Sequence, residues 1–168
     1  TDGARDGISN DERRACMTLW SIETAPLYAG DDLTSMDSYG LSLLTNSEVI
    51  AIDQRGKPAV PVSQSNNQQV WYVNNGNGSY TVALFNLNNY SATITANWSN
   101  LGFSGSATVH DVWSHANLGT FNGSFGATLN AHASRLLTVT PGSGGGTGGG
   151  TYYKIINRNS GEALDISG

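Results

Sequence analysis

The chain has 168 residues, only 12% of them charged, and a formal net charge of −5. An acidic chain without a Lys/Arg cluster lacks the electrostatic footprint of a nucleic-acid binder and the basic amphipathic helix that suits an anionic membrane surface. No apolar run approaches the roughly 18 residues of a membrane-spanning helix, and Cys16, the only cysteine, cannot form an internal disulfide.

The chain opens at Thr1-Asp2-Gly3, with no initiator Met and no signal peptide, so it is expected to be processed or to begin inside a longer protein. Ser9-Asn10-Asp11-Glu12 has the S-x-x-E form of a capping box, in which two side chains satisfy orphan N–H groups at a helix start. Ala15, Cys16, Leu19, Trp20 and Ile22 follow at roughly helical spacing, and Pro26 ends the helix. With no activating His nearby in sequence, Cys16 reads as a small buried hydrophobe. Pro26 to Gly30 is a short apolar run suited to a buried strand, and Gly30-Asp31-Asp32 a turn. A second amphipathic segment runs from about Ser35 to Leu44, and Val49-Ile50-Ala51-Ile52 is a further apolar run. Helix, strand, helix is the rhythm of an α/β fold with parallel strands. A (β/α)8 barrel takes about 250 residues, so this segment amounts to its last quarter at most.

Residues 60–141 read as an all-β domain. Strand candidates are Val70–Val73, Tyr80–Leu87, Ala92–Trp98, Ala107–Trp113, Gly119–Phe121, Ala127–Leu129 and Arg135–Thr140. Between them lie turns rich in Asn, Gly and Ser, such as Asn74-Asn75-Gly76-Asn77-Gly78. Ala92, Ile94, Ala96 and Trp98 alternate with Thr93, Thr95 and Asn97, the period of two of a half-buried strand. Short alternating strands with frequent turns predict an antiparallel sandwich. Residues 142–151 are all Gly, Ser or Thr, the composition of a coil linker. At Tyr152 a strand pattern restarts, but 152–168 is far too short to bury a core of its own.

Three stretches resemble one known family. "TLWSIETAPLYAGDDL" and "LLTNSEVIAIDQ" resemble the end of the catalytic barrel of family 27 glycoside hydrolases of the α-galactosidase type. "GSYTVALFNL", "ANWSNLGFSGSATVHDVWSH" and "SRLLTV" resemble the C-terminal antiparallel β-domain of the same enzymes, especially actinobacterial ones. "YYKIINRNSGEALDISG" resembles the opening of a ricin-type β-trefoil lectin repeat. The resemblance implies a mainly β chain: an antiparallel β-sandwich over 60–141, preceded over 1–55 by the last α/β elements of an incomplete (β/α)8 barrel. A linker over 142–151 and a truncated ricin-type carbohydrate-binding module over 152–168 follow. It implies a secreted bacterial retaining α-galactosidase, acting on terminal α-linked galactosides in oligo- or polysaccharides, with no cofactor and no nucleic-acid or membrane partner.

The family's two catalytic Asp residues lie upstream of the Leu19-Trp20 helix, so the chain is expected to contain no catalytic residue and to be inactive alone. The family's substrate-contacting Asn-Asp-x-Asp stretch should lie just before Gly7. Residues Asp2 to Asp6 depart from it and receive no role.

Several constellations in the chain invite a chemical reading. Asp31 and Asp32 form a carboxylate pair after the expected strand, where barrel loops face an active site, yet an Asp there commonly caps the next helix. Asp111, Ser114 and His115 are the residue types of a hydrolase triad crowded beside one strand, which favours structural roles. His110, His115 and His132 lack zinc-motif spacing. Trp71, Trp98 and Trp113 could stack on sugars, but each sits where a sandwich needs bulk. Asp165 falls where, in the lectin resemblance, an Asp accepts hydrogen bonds from sugar hydroxyls, and is the one carbohydrate-binding candidate. Asn77, Asn89, Asn97 and Asn122 head Asn-x-Ser sequons, which matter only in a glycosylating host.

Two close alternatives keep the family and change the sugar, to β-L-arabinopyranosides or α-N-acetylgalactosaminides. A carbohydrate-binding protein without activity is a second class. A structural or adhesive β-domain is a third, though it leaves Thr18 to Gln54 unexplained. Part of the apolar surface of the first fifty residues is expected to fold back onto the β-domain, and the rest to remain exposed.

Overall fold

A computed structural model of the chain describes residues 7–30, 32–64 and 66–142. Helix α1 (Asn10–Ile22) begins at the anticipated capping box. Glu12 N donates to Ser9 Oγ at 3.2 Å and Ser9 N donates to Glu12 Oε2 at 2.7 Å. Asp11 and Glu12 place negative charge in the first turn, where the helix dipole favours it. Thr24, at φ 53°, turns the chain out of the helix ahead of Pro26. Helix α2 (Ser38–Leu44) is capped by Asp37, and α3 (Ser47–Asp53) by Asn46.

One expectation changes here. Pro26 to Gly30 is not a strand but irregular chain, with Tyr28 90% exposed. A parallel strand needs hydrogen-bonding neighbours and cover on both faces, and no described residue pairs with this run. The apolar run Val49–Ile52 lies inside α3, because Asn46 Oδ1 accepts from Glu48 N and Val49 N at 3.1 Å each and so starts a helix.

Eight strands follow: β1 (Val60–Ser63), β2 (Gln68–Asn74), β3 (Tyr80–Asn86), β4 (Ala92–Asn97), β5 (Ser106–Asp111), β6 (Ala116–Asn122), β7 (Ser124–Leu129) and β8 (Ser134–Pro141). All pair antiparallel, in a six-stranded sheet of order β1-β2-β3-β8-β5-β6 and a two-stranded sheet β4-β7. This agrees with the mainly β, antiparallel sandwich read from the sequence. β1 escaped that reading because Pro61 interrupts it. Pro cannot donate to a ladder and is confined to edges and bulges, and β1 is the edge strand, with its register shifting between Pro61 and Ser63.

One face of the large sheet meets β4 and β7 through Tyr80, Val82, Leu84, Leu137 and Val139, which pack with Ile94, Trp98, Phe103 and Phe125. Trp98 is fully buried in a short 3-10 turn (Trp98–Leu101), stacked on Phe103 at 5.4 Å, and its indole N–H donates to Phe121 O at 3.2 Å. The opposite face presents Ala83, Phe85 and Leu136 to the helices, where Met17, Ile22, Leu43, Val49 and Ile52 cover them. The N-terminal segment is thus a layer of the same molecule.

Candidate functional site

Helix α1 does not bury the face that its apolar spacing suggests. Arg13, Met17, Thr18, Ser21 and Ile22 are buried, while Leu19 and Trp20 are exposed, Trp20 by 45%. Of the inward polar residues, Thr18 is tied on both sides: its Oγ1 bonds Ser134 Oγ at 2.9 Å and accepts from Trp113 Nε1 at 2.9 Å, whereas Ser21 Oγ finds no partner among the described residues. Trp20 borders a largely apolar cleft of about 850 Å³ that Ile8, Leu27, Tyr28, Leu44 and Ile50 also line. Cys16 lines it too and is half-buried rather than buried, with burial raising its thiol pKa and keeping it protonated. At the cleft margin burial pushes the Asp53 carboxyl up, and Asp53 Oδ1 finds no partner among the described residues.

Three charged clusters tie elements together, one within the helices, one within the sheet and one between the two layers. Arg13, only 1% exposed, forks onto Asp37 with contacts of 2.9 and 2.7 Å. The Arg13 hydrogen bond, with a second from Gly40 N, takes the Asp37 pKa down to about 2. Asp111 accepts from Arg135 Nε at 2.7 Å and from Ser114 N at 3.0 Å. Glu48 bridges two imidazoles, Oε2 to His110 Nε2 and Oε1 to His115 Nδ1, each at 2.8 Å. His110 Nδ1 meets Asn117 Oδ1 at 2.8 Å. An imidazole facing oxygen acceptors from both nitrogens is best satisfied as imidazolium. The Asn117 hydrogen bond accordingly raises the His110 pKa, burial works against it, and Glu48 adds to the rise.

The structure separates the residues that looked like chemistry. His115 bonds Glu48, whereas Asp111 serves Arg135 and the Ser114 backbone, so the three residues do not form a relay. Asp32 Oδ1 accepts from Thr34 N at 3.0 Å and Thr34 Oγ1 at 2.6 Å, bonds that lower its pKa, and it holds a turn; the helix cap expected of it belongs to Asp37. Asp31 lies outside the described residues, as does Asp165 together with the linker from 143 on and the lectin-like stretch. Trp98 is core, and Trp71 and Trp113 pack partly buried on the helical side. His132 Nε2 meets Asn89 Oδ1 at 2.8 Å. Sequence reasoning passed over Glu48, whose partners lie 62 and 67 positions away, a separation with no local signature.

The profile of the α-galactosidase C-terminal β-sandwich domain matches residues 65–139, and that of α-galactosidase A matches residues 4–55. The chain belongs to the family 27 α-galactosidase family. A relative is the α-galactosidase of Oryza sativa subsp. japonica, 36% identical over 139 residues, covering 80% of this chain and 33% of that protein. Among solved structures, the family 27 β-L-arabinopyranosidase of Geobacillus stearothermophilus superposes with a TM-score of 0.77 at 33% identity, over 83% of this chain and 32% of that one. α-Galactosidase I of Mortierella vinacea gives 0.76 at 29% identity, over 80% and 36%. The chain therefore spans about a third of the length of the α-galactosidase family members it matches. In family terms the helices α1 to α3 are the α-galactosidase A segment, and the apolar cleft lies on that segment.

Proposed function

We propose that the chain is the C-terminal part of a retaining α-galactosidase that hydrolyses terminal α-linked galactosides in oligo- and polysaccharides. The observation that carries this reading is that the two matched stretches, 4–55 and 65–139, share one core through Met17, Ile22, Val49, Phe85 and Leu136. Retention requires two carboxylates about 5–5.5 Å apart. Among the described residues, Glu12, Asp32, Asp37, Glu48 and Asp111 are each committed to a cap, a turn or an ion pair. On the family resemblance the catalytic pair is assigned to barrel strands preceding these residues, and the exposed Trp20 and Tyr28, with half-buried Leu27 beside them, supply an apolar surface for such strands.

The test compares the 168-residue chain with the continuous upstream reading frame on a chromogenic α-galactoside. Turnover is expected only with the extended frame. Turnover by the 168-residue chain that disappears on Asp32→Asn sinks the reading. A second reading, cleavage of β-L-arabinopyranosides, draws on the Geobacillus stearothermophilus neighbour. The same extended protein on paired chromogenic galactoside, arabinopyranoside and N-acetylgalactosaminide substrates separates the sugars.

The proposal extends to a secreted bacterial protein whose residues 152–168 open a ricin-type module with Asp165 as a sugar acceptor. Its support is the lectin resemblance of that stretch. The check is retention of the extended protein on immobilised galactose: Asp165→Ala should reduce it, and unchanged retention removes the assignment.

A further inference from the structure

A second recess, of about 300 Å³, lies between the start of α1, the turn after β5 and the β7–β8 loop. Its volume is at the lower end of ligand pockets, enough for one sugar ring rather than a chain. Its lining differs from the apolar cleft in being mostly polar, with Asp11, Arg14, Asp111, Ser114, Asn130 and Arg135 contributing.

Arg14 is the singular group there. Its guanidinium lies 5.7 Å from the Tyr39 ring centroid and 5.9 Å from that of Trp113, contacts that hold it in place. Its Nε is buried and finds no acceptor, and no hydrogen bond among the described residues uses the other N–H groups. Guanidinium N–H groups can only donate, so those left unused favour an oxygen supplied from outside. Opposite charges stand beside it. Asn130 Nδ2 donates to Asp11 Oδ2 at 3.2 Å, which leaves Asp11 Oδ1 and Asn130 Oδ1 as acceptors. Arg135 and Asp111 neutralise one another at 2.7 Å. Leu129, Ala133 and Trp113 add an apolar patch.

Two guanidiniums balanced by two carboxylates do not select an anion. They suit a neutral ligand that both donates and accepts hydrogen bonds and carries an apolar C–H face. We propose that this recess is a saccharide subsite, with Arg14 donating to one hydroxyl of a pyranose and Asp11 accepting from its neighbour. It is separate from the galactoside-cleaving centre and is read by binding alone, so its success or failure does not depend on turnover.

The experiment titrates the isotopically labelled 168-residue chain with methyl α-D-galactopyranoside, methyl α-D-mannopyranoside and sodium sulfate in parallel. The Arg14 Nε–H signal, assigned by its loss in Arg14→Met, and the Trp113 Nε1–H signal are followed by NMR. A neutral glycoside should shift both saturably, in the millimolar range typical of weak binding. Arg14→Met should abolish the Trp113 shift, and Asn130→Ala, which frees Asp11 from its partner, should change the affinity about fivefold, as for one hydrogen bond. If Arg14→Met does not fold, Asn130→Ala decides. Saturation by sulfate alone makes this an anion site and overturns the proposal, as do shifts that never saturate or that survive both substitutions unchanged.

Discussion

On one face of the six-stranded sheet Tyr80, Val82 and Leu84 meet strands β4 and β7; on the other, Ala83 and Phe85 meet helices. β3 is consequently buried at every position, whereas β4 alternates, with Ile94 and Ala96 buried and Thr93 and Thr95 exposed. The two covers differ in completeness. The sandwich side is closed by aromatic stacking of Trp98, Phe103 and Tyr80. The helical side covers the sheet but keeps Trp20 and Tyr28 on its outer surface. A strand with two buried faces reads as a near-continuous apolar run, and "YTVALFN" is such a run. The helices therefore belong to the fold of the β-domain, and their outer face is the part of this segment that calls for more chain.

The largest test of that contrast removes one large side chain from each of the two interfaces. Trp98→Ala is expected to cost about 3–5 kcal/mol and Leu136→Ala about 2–5 kcal/mol, both read by denaturant unfolding. A loss for Leu136→Ala below about 1 kcal/mol, smaller than core truncations give, would mean that the helices rest loosely on the sheet and that the molecule is a sandwich alone.

Arg13→Met comes next. It removes a fully buried guanidinium from Asp37, which is 42% exposed and can rehydrate. The expected cost is about 1.5–3 kcal/mol, the range for hydrogen bonds to charged groups. It should appear as raised amide exchange in α1 and α2, with β4 and β7 unchanged. Equal loosening of both layers would show that the two covers unfold as one.

Ser9→Ala strips the capping box from α1 at about 1 kcal/mol. Exchange should accelerate in the first turn of α1 and fall away toward Ile22. No change there would show that packing on the sheet, rather than the cap, starts the helix.

The smallest effect is pH-dependent and sits at the Glu48 clasp, which joins α3 to the β5–β6 hairpin. Burial opposes the ionised Glu48, but the His115 and His110 hydrogen bonds outweigh it and keep its pKa below the ordinary 4.5. That contribution is present above 4.5 and is lost as pH falls through the lowered value. His110 is shifted upward from 6.5, with Asp111 also raising it, so its contribution is present below 6.5 and is lost as pH rises through the raised value. Both are present together between about 4.5 and 6.5, where the helical layer should be held best. The partners are half-exposed, so the gain is small and falls with salt. Glu48→Gln should flatten the thermal-stability profile across this window, and an unchanged profile removes the clasp from the account.

Much of this architecture was legible in the residues. Alternation in Ala92–Asn97 reported a half-buried strand, and Ser9 with Glu12 reported a helix start, because each depends on neighbours within a turn or a pleat. The inward face of α1 was not legible. Thr18 and Arg13 are buried because Ser134, Trp113 and Asp37 satisfy them, and those partners come from distant parts of the chain. The run Pro26–Gly30 has a strand's composition but no described strand to pair with.

The sequence by itself determined the secondary elements with local signatures, the alternation of the sandwich and, through its motifs, the family. Periodicity and capping act over a few residues, and a motif is a local string. Only the tertiary structure decided that Glu48 joins two histidines, that Asp111 and His115 part company, and that Arg14 and Asn130 line one recess. Each of these juxtapositions is made by antiparallel pairing and by helices packing across a sheet, and such long-range contacts leave no periodic trace in the chain that makes them.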